Sequence, residues 1–167
     1  NLLYNLDVLS KIHGNIIFDI IGSVQDLEYW SLCQSKIKKL PNNIKVNYLG
    51  DMPNSRVIKL MNNYHFLFLL TLGENFGQSI FEALSIGLPV ITSDQTPWSS
   101  IKENSAGWTL PLKSKKDIIK ILNQCANMSQ TKYNSFVNGA IQCASDYDKH
   151  SGVLEANKEM FKIAMET

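Results

Sequence analysis

The stretch Gly73-Glu-Asn-Phe-Gly77-Gln-Ser-Ile-Phe-Glu82-Ala-Leu-Ser-Ile-Gly87-Leu-Pro89-Val-Ile-Thr-Ser-Asp94 decides the reading of the whole chain. It follows an apolar run, His65 to Leu72, too short to span a membrane and bounded by Gly73, which predicts a buried strand. Gly73 and Gly77 permit a tight turn, and a helix opens at Phe76 or Gly77. Ile80, Ala83, Leu84 and Ile86 give that helix an apolar face. Gly87 is placed to end it as a left-handed cap, and Pro89 blocks its resumption. Pro89 to Ser93 predicts a second buried strand, which completes a strand–turn–helix–strand unit.

The two carboxylates of this unit occupy different places. Glu74 lies in the turn, beside backbone N–H groups of Phe76 to Ser79 that have no partner within the helix and sit at the positive end of its dipole. A helix start above the carboxyl end of a strand is an anion site, and phosphate is its usual occupant. Glu82 lies on the helix itself, about 9 Å along the axis from Phe76. Carboxylates separated in this way are poorly placed to flank one scissile bond. They suit the two ends of an elongated ligand whose phosphates lie between them.

Glu74-Asn-Phe-Gly77 through Glu82-Ala, followed by Gly87-Leu-Pro89-Val-Ile, resembles the signature of the retaining group-one, family-four glycosyltransferases of GT-B fold. Asn75 replaces the glycine usual after the first Glu, a departure that an asparagine tolerates because it accepts the left-handed region. The resemblance extends in element order through nearly the whole chain. It implies a nucleotide-sugar-binding domain over residues 1–167, the C-terminal half of a two-domain enzyme. Glu74 is then the catalytic carboxylate that also binds donor-sugar hydroxyls. Asn75, in the same turn, binds substrate with it, and the backbone at Phe76, Gly77 and Gln78 faces sugar and phosphates. Glu82 binds the ribose. Gly50, Asp51 and Met52 read the base, and Gly22 and Ser23 approach the diphosphate. Ser93, Asp94 and Thr96, at the end of the strand after the motif, are lesser candidates to line the cleft. Each role has a plainer alternative: a dipole-favoured acid for Glu74, a solvated helix carboxylate for Glu82, and simple turns for the two loops.

Composition is consistent with a globular domain: 167 residues, 44% hydrophobic, 19% charged. A net charge of +1 gives no reason to expect nucleic acid or strong membrane steering. The three cysteines, Cys33, Cys125 and Cys143, are scattered and lack a CxxC, so reduced thiols and no metal site are expected. His13, His65 and His150 have no metal-ligand spacing.

Leu2, Leu3, Leu6, Val8, Leu9 and Ile12 are spaced as a helix face ended by Gly14. Ile16 to Ile21 reads as a strand, and Gln25 to Leu40 as a helix with Leu27, Trp30, Cys33, Ile37 and Leu40 inward. Ile44 to Leu49 alternates like a strand with one wetter face. Pro53 suits a first helical position, and the helix it opens runs through Met61. Thr96 and Pro97 suit the cap and first residue of another helix. Gly107 to Leu112 reads as a short strand, and Ser114 to Asp117 as a capping-box variant. Further helices are expected over residues 132–148 and 152–165. Alternating strands and helices imply a doubly wound, Rossmann-like parallel sheet in a single three-layer α/β/α domain.

Members of the resembled family begin this domain with a strand ending in Gly-Arg and, shortly after, Lys-Asn or Lys-Gly. Asn1-Leu2-Leu3 resembles the residues that follow. The expectation is therefore that the family's first strand, its diphosphate-binding Arg and Lys, and the acceptor-binding N-terminal domain lie outside this chain. Either the remaining strands close up or another chain fills the central place. The ligand expected is a nucleotide-sugar such as a UDP- or GDP-sugar, with no cofactor and no metal. The acceptor is a saccharide or lipid-linked molecule held by the N-terminal domain, in polysaccharide or glycoconjugate synthesis. The full-length enzyme would be cytoplasmic, associated peripherally with the inner face of the membrane, and the isolated fragment inactive. Rival readings are a non-catalytic sugar-nucleotide or interaction module, an epimerase of the same fold, and a dinucleotide-dependent dehydrogenase. The last lacks its Gly-x-Gly-x-x-Gly, since Ser23-Val-Gln-Asp26 follows Gly22.

Overall fold

A computed structural model of the chain describes residues 1–150. The elements run α1 (Leu2–Leu9), β1 (Ile16–Ile20), α2 (Leu27–Ile37), β2 (Ile44–Tyr48), α3 (Asn54–Met61), β3 (Leu67–Leu69), α4 (Gln78–Ser85), β4 (Val90–Ser93), α5 (Ser100–Glu103), β5 (Gly107–Leu110), α6 (Lys115–Ala126) and α7 (Gln130–His150). All strand pairs are parallel. The helix expected over residues 152–165 lies outside the described residues.

The Rossmann-like α/β architecture is as the alternation implies, but the sheet is divided. β1 pairs with β2, and β4 pairs with β3 on one edge and β5 on the other. No ladder joins β1 to β3 among the described residues, so the strands have not closed up. Residues 2–9 form a helix, not a central strand. The divide is crossed by side chains. The Phe18 and Phe68 rings meet edge-on at 5.9 Å, and the Tyr64 hydroxyl donates to Asp19 Oδ2 at 2.5 Å. Asp19 Oδ1 accepts from the Asn47 amide at 2.6 Å. Burial, and then the bond to Asp19, pushes the Tyr64 phenol up to about 12.

β4 shows why two helical layers are needed. Its four residues are all buried. Val90 faces a core with Ile80, Leu84, Trp98, Ile101 and Ala140, and Ile91 faces the opposite core with Val8, Leu9, Leu70, Ile118 and Leu122. Alternate side chains of one strand thus feed two hydrophobic layers, the pattern of a parallel sheet covered on both faces.

Several local expectations are corrected. β3 is only Leu67–Leu69, and β1, β2 and β5 are likewise shorter than their apolar runs. Leu27, expected inward, is 76% exposed because α2 starts there, capped by Asp26 accepting from the Tyr29 N–H. Pro53 caps α3 instead of opening it, its φ of −57° and ψ of 143° leading in from extended backbone. The helix expected at Thr96–Pro97 begins at Ser100, because the intervening residues bond to the loop after β3. Ser114 caps α6 without a side-chain bond, since its backbone carbonyl already takes the Asp117 and Ile118 N–H groups.

α1 lies against helices of both halves, and Asp7 fastens it. Its carboxylate takes Lys36 of α2 on Oδ1 and Lys115 of α6 on Oδ2, each at 2.6 Å. The hydrogen bond from Lys115, then that from Lys36, lowers its pKa from 3.8 to about 2. The folded value lies below the unfolded one. This contribution is therefore present above about pH 4 and lost as pH falls toward 2. Partial exposure screens the pair and keeps it small. In urea titrations across that window, the stability difference between wild type and Asp7→Asn should shrink as pH falls.

Gly107 sets the closest approach in the sheet. At φ +143°, an added Cβ would lie 1.8 Å from the Val90 carbonyl oxygen. Gly107→Ala should lose more than about 3 kcal/mol in urea denaturation. Gly50→Ala, with φ +74° and nothing within 4 Å, should lose only the conformational term of about 1–2 kcal/mol.

Candidate functional site

The site gathers at the carboxyl ends of the strands. Gly77 takes φ +79° and ψ 60° as the residue before α4, which reverses the chain into the helix. The Ile80 and Phe81 N–H groups bond back to its carbonyl at 2.9 and 3.2 Å. The N–H groups of Phe76, Gly77, Gln78 and Ser79 donate to no acceptor among the described residues. The predicted row of free amides is thus present at the positive end of α4. At the other end Gly87 adopts φ +77°, with Leu88 N–H reaching Ala83 O at 2.8 Å and Gly87 N–H reaching Leu84 O at 3.0 Å.

The left-handed residue of the loop is Gly77, not Asn75 or Gly73. Ser105 is the only non-glycine with positive φ among the described residues. Asn75 therefore replaces glycine without needing glycine's freedom. Glu74 is half-buried, and its N–H donates to Gln95 O at 3.2 Å. Its carboxylate has no hydrogen-bond or ion-pair partner among the described residues.

Glu82 is held on one oxygen. Oε1 accepts from the Asn54 amide at 2.8 Å and from the Gln78 amide at 3.1 Å, whereas Oε2 accepts from nothing among the described residues. Asn54, at the start of α3 just past the Gly50 turn, links the two loop systems; the sequence reading did not single it out. Gly22 N–H donates to Gly50 O at 2.9 Å, and the Tyr48 hydroxyl donates to Gly22 O at 2.8 Å. Gly22 and Ser23 line a cavity of about 260 Å³ with Tyr29, Trp30 and Tyr48. No hydrogen bond joins Gly22 or Ser23 to residues 74–78 among the described residues.

Met52 lines a second cavity, of about 470 Å³, with Leu49, Leu60, Arg56 and Lys59. Arg56, the single arginine of the chain, also went unnoticed in the sequence reading. Asp51 is exposed. Ser93, expected to line the cleft, is fully buried, and its hydroxyl donates to Thr71 O at 2.6 Å, so its role is structural. Asp94 accepts from its neighbour Gln95, and the Thr96 hydroxyl donates to Ser93 O. Trp98 is 1% exposed and packs inside.

Among the described residues no three His, Cys, Asp or Glu side chains gather where an ion could sit. The three cysteines are free. Burial pushes the Cys125 thiol up to about 12 and raises those of Cys33 and Cys143. No helix among the described residues is long and apolar enough to cross a membrane.

Solved structures share this fold at low identity. WaaG, a glycosyltransferase involved in lipopolysaccharide biosynthesis, aligns at TM-score 0.70 and 18% identity, covering 87% of this chain and 39% of its own. HepE of Anabaena, solved with UDP and glucose, aligns at TM-score 0.74 and 18% identity, covering 99% of this chain and 44% of its own. WaaB, a lipopolysaccharide outer core galactosyltransferase, aligns at TM-score 0.65 and 21% identity, covering 88% and 45%. The chain therefore spans less than half the length of these proteins. Among curated proteins none matches the chain in sequence. The sequence pattern of the family described as "Glycosyl transferases group 1" matches residues 1–142, nearly every described element, and by that match the chain belongs to the group 1 glycosyl transferases.

Proposed function

We propose that this chain is the donor-binding part of a retaining glycosyltransferase, and that the longer enzyme moves a hexose from a nucleotide-sugar to a saccharide or lipid-linked acceptor. The observation that carries the reading is the row of unbonded amides from Phe76 to Ser79, with an unpartnered carboxylate at Glu74 before it and a half-engaged one at Glu82 behind it. Fixed N–H dipoles aimed at a diphosphate stabilise the charge that grows on it as the glycosidic bond breaks, with no reorganisation during the reaction. Glu74 accepts hydroxyls of the donor sugar. Glu82 keeps Oε2 for a ribose hydroxyl, while Asn54 and Gln78 fix its rotamer. The Gly22 and Gly50 turns are bonded to each other, and in this reading the first approaches the diphosphate and the second, with Asp51 and Met52, reads the base.

HepE, solved with UDP and glucose, supports a nucleotide-sugar ligand, and the lipopolysaccharide roles of WaaG and WaaB support a glycoconjugate product. The retaining outcome follows the resemblance of the Glu74–Glu82 motif, with the acceptor attacking the face that the nucleotide leaves. Action at the inner face of the membrane, through peripheral association of the longer enzyme, completes the proposal.

Calorimetric titration of the chain with UDP-, GDP- and ADP-sugars tests the ligand. One base should bind and the others should not; indifference to all of them removes the reading. Glu82→Gln should weaken both the nucleoside diphosphate and the nucleotide-sugar about tenfold. Glu74→Gln should weaken the nucleotide-sugar alone, because only the sugar reaches it. Turnover belongs to the longer enzyme, and transfer by these 167 residues alone would contradict the division of labour. A new glycosidic bond in the product, as opposed to an epimerised donor, separates transferase from epimerase.

A further inference from the structure

The loop carrying Glu74 has few bonds of its own. The Thr71 hydroxyl donates to Gly73 O at 3.0 Å, and little else is internal. It is held instead by the segment after β4, at three points. The Ser93 hydroxyl donates to Thr71 O at 2.6 Å, Gln95 O takes the Glu74 N–H at 3.2 Å, and the Trp98 indole N–H donates to Phe76 O at 2.5 Å. The third bond comes from a large side chain that is itself buried. The Trp98 ring lies 5.6 Å from Phe76, stacks on Phe81 at 6.1 Å and meets Tyr147 of α7 at 4.9 Å. Its own carbonyl accepts from the Thr109 hydroxyl of β5 at 3.2 Å.

A trans peptide points its C=O and its N–H in opposite directions. The Phe76 carbonyl faces the indole, so the N–H of the same peptide unit, which belongs to the buried Gly77, points the opposite way, toward the turn before α4. If that unit flipped, a carbonyl dipole would point where the donor-binding reading puts an anion, and the buried indole N–H would lose its only acceptor among the described residues, a costly arrangement. We propose that Trp98 is a positioning residue for the anion site, holding the Phe76–Gly77 peptide so that the Gly77 N–H is presented to the donor's phosphates. The proposal rests on the donor-binding reading above. It explains why the helix expected at Thr96–Pro97 is delayed to Ser100: those residues bring the indole beneath the loop.

The test uses the ¹⁵N-labelled chain, with UDP, inorganic pyrophosphate and uridine as probes. In wild type the Trp98 indole proton should exchange with solvent far more slowly than that of half-buried Trp30; equal rates overturn the proposal without any variant. Trp98→Phe keeps an aromatic ring and removes the donor. It should shift the Gly77 and Gln78 amide signals and weaken UDP and pyrophosphate about tenfold, leaving uridine unchanged. Phe81→Leu loosens the same ring cluster but keeps the N–H, and should lower thermal stability without a phosphate-selective loss. Amide signals unmoved in Trp98→Phe, equal loss of UDP and uridine, or the same selective loss in Phe81→Leu would each sink the idea. Wild type that binds neither UDP nor pyrophosphate removes the donor reading and the phosphate role with it, while the indole and amide measurements still decide the backbone role.

Discussion

The structure depends on burying one parallel strand completely. β4 is paired on both edges and covered on both faces, so each of its polar groups needs a partner inside the protein. Backbone groups find theirs in β3 and β5. The hydroxyls of Thr92 and Ser93, both fully buried, donate to Leu69 O and Thr71 O. The Ser93 bond prolongs the contact between β4 and the segment after β3 beyond the last ladder pair, Leu69 and Thr92. The starting point of the Glu74 loop is thereby a property of the core.

What was legible in the sequence is local. Apolar runs, the Gly87 cap and the Pro89 stop place α4 between two strands, and Glu74 and Glu82 follow from their spacing to Gly77. What was not legible is mostly contact at a distance. Asn54 meets Glu82 and Trp98 meets Phe76 across 28 and 22 residues, and no periodicity reports such a pairing. A buried tryptophan reads as plain packing, and only the direction of its N–H gives Trp98 a task. Ser93 was misjudged for the same reason, since a serine at a strand end reads as solvent-facing until its buried partner is seen. β2 also departs from simple alternation. Asn47 turns to Asp19, and Tyr48 is 41% exposed, with its hydroxyl on Gly22 O. Local propensity yields there to specific bonding.

The division of the sheet gives the molecule two parts. One comprises β1 and β2 with the Gly22 and Gly50 turns, and the other β3, β4 and β5 with the Glu74 loop. α1 bridges them through Asp7, and Tyr64 and Phe18 cross the seam. Those crossings are side chains, which yield more readily than a ladder of backbone bonds. A rod-shaped molecule gripping both parts would therefore act as a caliper. Its reach would fix the spacing of the two parts, and molecules a few ångströms too short or too long would meet resistance from the seam itself.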